Sequence, residues 1–209
     1  MNMQIYLTLF GAVIFLAGFV CAFFIYHEYK HEYEKTIKPD IDLEQMKTSE
    51  KNISQFLQEH QLKPDTNIWK IAEVLKVNEG GEDSSIDDDA RLSKPDENGN
   101  MVVTFRAGLN PKQKIFNFAH ECAHLINKDD VPVTRPAGSH KAPIEQLADY
   151  TAAALLMPLE DVFHYLESNN YKTLSSRNRM KILRYLCKKY EVSEIIALRR
   201  IQEVYKIKQ

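Results

Sequence analysis

Phe116-Asn117-Phe118-Ala119-His120-Glu121-Cys122-Ala123-His124-Leu125-Ile126 is the stretch on which the reading of this chain turns. Residues 120–124 have the form HExxH. Residues four apart share one face of a helix. Both imidazoles can therefore reach one zinc ion, with the glutamate beside them as general base. At about 100° per residue, with His120 at zero, His124 falls near 40° and Glu121 near 100°. Ile115, Phe118, Ala119, Cys122, Leu125 and Ile126 fall between about 140° and 260°. Cys122 thus belongs to the apolar back and reads as a core residue, not a ligand. Two satisfied polar residues on an amphipathic helix would give the same separation of faces. The surroundings have to decide between the two readings.

Upstream, Asn98-Gly99 signals a hairpin and Met101–Arg106 reads as a strand. Asn110 then caps a helix, with Pro111 in its first turn. That helix should run to about Asn127 and end at Asp129, Asp130 and Pro132. Downstream, Gly138 and Pro143 bracket another helix start, followed by EQLADYTAAALLMP at residues 145–158. A catalytic zinc takes three protein ligands and keeps one position open. Glu145 is the candidate third ligand. Asp149, four residues on, shares its face and can accept a hydrogen bond from the far nitrogen of a ligating histidine. Ala148 and Ala152 are small enough to let this helix approach the first closely. The alternative is an exposed carboxylate pair.

The pair FNFAHECAHLI and EQLADYTAAALLMP resembles the ImmA/IrrE family of zinc metallopeptidases. In that family a strand precedes a helix bearing AHExxH, and an ExxA(N/D)xFAAxLLMP segment follows. Tyr150-Thr151 departs from that pattern, and Cys122 stands where leucine is frequent. The closing segment KKYEVSEIIALRRI, residues 188–201, is also similar, with Ser193 as an N-cap. The resemblance spans roughly residues 66–204. The ligand pattern is similar to that of the wider gluzincins. The resemblance implies peptide hydrolysis with Zn²⁺ as cofactor and a cytoplasmic transcriptional repressor as substrate, of the helix-turn-helix type. His120, His124 and Glu145 would hold the metal and Glu121 would act as general base. His140, Tyr150, Arg135 and His164 are candidate oxyanion donors.

The N-terminus carries a separate signal. Met1 to Tyr26 holds no charged residue, and Ile5 to Tyr26 is almost wholly apolar or aromatic. That length crosses a bilayer as a helix. No Lys or Arg precedes it, which argues against a cleaved signal peptide. Lys30, Lys35 and Lys38 follow it, placing the rest of the chain in the cytoplasm. His27 and His31 read as solvated interface residues. The expected layout is an anchor over 1–27, a juxtamembrane linker and helix over 28–63, and a peptidase domain over 64–209.

Net charge is −2, which favours neither nucleic-acid binding nor an acidic tail. The three cysteines form no disulfide pattern. Helices are expected over Ser49–Gln61 and after Asp65 or Thr66, with Trp69 packed on a neighbour. Residues 78–91 are acidic and turn-rich and read as an exposed loop without calcium-ligand spacing. Residues 174–201 carry eight Lys or Arg. They read as a solvated basic face on a packed helical core, with no direct nucleic-acid binding expected. The fold expected is α+β, mostly helical and zincin-like, with a small sheet beside the active-site helix and one transmembrane helix in front. The rival reading is a catalytically silent regulator that binds a repressor without cutting it.

Overall fold

The computed structural model describes residues 41–129 and 142–209. The proposed span at Met1–Tyr26 and the segment after it as far as residue 40 lie outside the described residues, as do Arg135 and His140. No helix among the described residues is long and apolar enough to cross a membrane. The described architecture is α+β, mostly helical with one small sheet.

Helix α1 spans Leu43–Glu59 and starts earlier than its apolar stripe suggests. Asp42 and Gln45 form a reciprocal capping box that satisfies the first free N–H groups. Met46, Ile53 and Leu57 join the same core as the rest of the sheet-bearing part. The compact unit accordingly begins upstream of residue 64. Helix α2, Ile68–Leu75, is capped by Asn67 rather than by Asp65 or Thr66. Trp69 stays 45% exposed and packs at a tilt against Phe118, ring centroids 4.7 Å apart.

Strand β1 is Val77–Asp83, β2 is Ala90–Leu92 and β3 is Met101–Arg106. The sheet order is β1-β3-β2, with β1 parallel and β2 antiparallel to β3. The expected loop over 78–91 is therefore corrected at both ends. VNEGGED hides its strand because β1 lies at an edge, with little burial beyond Val77. A bulge between Glu79 and Glu82 also interrupts the alternation. Gly80 sits in that bulge, where a Cβ would lie 2.6 Å from Val102 Cγ1 and 2.9 Å from the Val103 carbonyl oxygen. The expected hairpin is present, with Gly99 at φ +79°.

Helix α3, Pro111–Asn127, follows the sheet, with Asn110 and Gln113 forming its capping box. A cap contributes about 1 kcal/mol. Burying Phe118 and Ile126 contributes about 1.5–3 kcal/mol each. Packing, more than capping, thus fixes where α3 lies. Helix α4, Pro143–Leu156, packs along it, and Ala119, Ala123, Ala148 and Ala152 are all fully buried. Ser49 and Thr151 hydroxyls meet at 2.7 Å and tie α1 to α4. Helices α5 (Leu159–Ser168), α6 (Ser176–Lys189) and α7 (Glu194–Ile207) build a second apolar cluster around Leu166, Leu186 and Val204.

Candidate metal centre

All five residues of the HExxH stretch are buried, His120 at 2%, Glu121 at 7% and His124 at 1% exposure. The apolar back of α3 faces the core, as the wheel predicts. Its polar edge is covered too, by α4. There the Nε2 atoms of His120 and His124 stand 3.1 Å apart. Glu145, itself 2% exposed, places Oε2 3.2 Å from His120 Nε2 and Oε1 3.7 Å from His124 Nε2.

The other face of each ring is held by an aspartate. His120 Nδ1 lies 2.8 Å from Asp149 Oδ1, and His124 Nδ1 lies 2.8 Å from Asp129 Oδ2. An ionised carboxylate only accepts, so each Nδ1 carries the hydrogen and donates. In the neutral ring each Nε2 then presents a lone pair. Burial pushes His124 below the ordinary imidazole range, and His120 pushes the same way, against the pull of Asp129, Glu121 and Glu145. Two lone pairs and a carboxylate thus converge in a buried space, an arrangement that repels itself unless a cation lies between them.

The donor set fits zinc. A tetrahedral shell with bonds of about 2.0–2.1 Å has edges of about 3.3 Å. The three edges here measure 3.1, 3.2 and 3.7 Å. Among the described residues, His120, His124 and Glu145 are a group whose ligand atoms all lie within 4.8 Å of one another. Cys122 points away, fully buried, and burial drives its thiol pKa far up.

Local backbone explains how the two aspartates arrive. Asp149 follows Glu145 by one helical turn on α4. Asp129 comes from the end of α3, where Lys128 adopts a left-handed conformation at φ +62°. Asp129 N–H donates to the His124 carbonyl at 2.9 Å and Lys128 N–H to that of Leu125 at 3.1 Å. This Schellman closure folds the chain back and sets Asp129 against the His124 ring. Sequence reasoning saw Asp129 only as a helix stop. The six-residue span from His124 to a post-helical acid was the signal available.

Tyr150 requires a correction. It is fully buried, its hydroxyl donates to Glu50 Oε1 at 2.7 Å and accepts from Arg200 Nη1 at 3.1 Å, and burial raises its pKa. The hydroxyl is committed to α1 and α7 and is no oxyanion donor. His164 is exposed on α5 beside Phe163. The expected solvated basic face divides as well. Arg177, Arg179, Lys181, Arg184, Lys188 and Lys189 are exposed on α6, but Arg200 is fully buried. Arg199, only 14% exposed, places Nη1 3.8 Å from Asp149 Oδ2 and donates from Nε to Glu203 Oε1 at 2.9 Å.

No curated protein matches the sequence. Among solved structures, the chain is similar to a Mycobacterium tuberculosis transcriptional regulator at 17% identity and a TM-score of 0.47, covering 80% of this chain and 50% of that one. The chain thus spans half the length of that protein. The sequence profile of the IrrE N-terminal-like domain, a peptidase family, matches residues 73–202, from α2 through α7 and across every residue of the centre. With more than half of its length under that match, the chain belongs to the ImmA/IrrE family of metallopeptidase-type domains.

Proposed function

We propose that this protein is a zinc metalloendopeptidase that cuts a cytoplasmic protein, a helix-turn-helix transcriptional repressor, while tethered to the membrane through Met1–Tyr26. The observation that carries the chemistry is the convergence of two Nε2 lone pairs and the Glu145 carboxylate, with both Nδ1 atoms already engaged. The tether is supported by the uncharged run of 26 residues and the lysines that follow it. Residues 1–27 form the anchor in this reading, and the chain beyond them leads into the catalytic domain in the cytoplasm.

His120, His124 and Glu145 would hold the ion, and Asp149 and Asp129 would keep both imidazoles in the tautomer that exposes Nε2. Bound zinc would supply Lewis acidity toward the attacking water and the scissile carbonyl. Glu121 takes the proton as water attacks and returns it to the leaving amine. Burial of the centre strengthens each of these charge interactions relative to bulk water.

Glu121→Gln keeps the shape and removes the base. Repressor cleavage should fall about 10²–10⁴-fold with zinc content unchanged. Full cleavage by this variant would exclude the general-base role. Equal repressor binding by variant and wild type with no cleavage by either would favour the silent regulator.

A further inference from the structure

We propose that Arg199 is a positioning residue of the metal centre, acting on His120 through Asp149. The inference rests on the metal reading above. Each oxygen of Asp149 has a partner among the described residues. Oδ1 accepts from His120 Nδ1 at 2.8 Å, and Oδ2 faces Arg199 Nη1 at 3.8 Å, a charge contact longer than a hydrogen bond. The Asp149 side chain is 30% exposed against 3% for His120, so it stands at the rim of the buried centre. Water competes for a carboxylate there, and the terminal torsion of aspartate is soft. One hydrogen bond fixes one oxygen. A cation on the second oxygen fixes the plane of the group, and with it the His120 ring.

Arg199 is suited to this because it is itself held. Its Nε donates to Glu203 Oε1 at 2.9 Å. Glu203 is fully buried, and its Oε2 lies 3.9 Å from Arg200 Nη1. Arg200 donates to Glu50 Oε1 at 2.7 Å and to the Met157 carbonyl at 2.9 Å. A continuous set of contacts therefore runs from the packed interior to a metal-ligand histidine, and Arg199 is its last link. Charge points the same way. Glu121, Asp129, Glu145 and Asp149 put four carboxylates around two imidazoles, and among the described residues Arg199 is a cation set against Asp149.

The test is zinc affinity of the full chain, measured by chelator competition, with thermal unfolding of the metal-free protein alongside. Arg199→Met should weaken zinc binding about tenfold, within the range seen when such outer partners of ligands are lost. Asp149→Asn should weaken it at least as much. The double variant should bind no more weakly than Asp149→Asn alone, because Arg199 acts through that carboxylate. Should Arg199→Met fail to fold, Arg199→Gln keeps an amide donor for Glu203, removes the charge and carries the same expectation. A role confined to packing would lower the metal-free unfolding temperature and leave zinc affinity unmoved. Unchanged affinity in the folded variant, or losses that multiply in the double variant, would overturn the inference. Failure of the wild-type chain to take up zinc would remove the metal reading itself.

Discussion

Two buried polar clusters sit on either side of α4, and they solve the same electrostatic problem differently. Around Arg200, a guanidinium fills the space between Glu50, Glu203 and the Tyr150 hydroxyl. Burial opposes its charge, but the surrounding acids outweigh burial and keep it protonated. Burial also lifts Glu203 above the ordinary carboxylate range, against the pull of Arg199 and Arg200. Around His120 and His124 the groups that converge are lone pairs and a carboxylate. One cluster carries its own cation within the sequence. The other brings together, among the described residues, a donor set that could hold one. The difference separates a structural polar core from a candidate metal site, even though Arg200, His120 and His124 are all buried.

The largest expected effect breaks the first cluster. Arg200→Met takes the guanidinium from Glu50 and leaves buried Glu203 with Arg199 alone, and should cost about 3–5 kcal/mol in urea denaturation. Added zinc should not restore it. A loss below about 1 kcal/mol would mean that the cluster does not depend on its arginine. The second expectation concerns the candidate metal centre. Free zinc at a hundredfold excess over its Kd should stabilise the fold by about 2.7 kcal/mol. The gain would appear as a higher melting temperature in calorimetry, reversed by chelator and absent from His124→Ala. The smallest effect sharpens the comparison at Asp129. Lys128→Gly relieves a left-handed residue and should stabilise by about 1 kcal/mol, leaving zinc affinity as in the wild type.

Much of the centre was legible because helical spacing is rigid. His120 with His124, and Glu145 with Asp149, are each four apart, and the faces they imply are the faces found. The limits of α3 were equally readable, since Asn110, Gln113 and Pro111 each have a local role. The illegible parts depend on tertiary context. β1 becomes a strand only because β3 offers it a parallel partner, as its own pattern does not alternate. Arg199 and Arg200 look like any charged pair on an amphipathic helix until α4 and α1 are placed against them. Tyr150 looked available for catalysis for the same reason. Its neighbours Glu50 and Arg200 are 100 and 50 residues away in sequence.

The contact between Glu50 and Arg200 spans 150 residues and joins the first described helix to the last. Contacts of such long sequence separation form late, because chain closure must be met before they repay it. A chain emerging from the ribosome delivers α1, the sheet and the HExxH helix long before α7. Until α7 arrives, Tyr150 lacks its arginine and Asp149 lacks Arg199. The order of synthesis thus acts as a timer, withholding a fully braced candidate metal centre until α7 has been made.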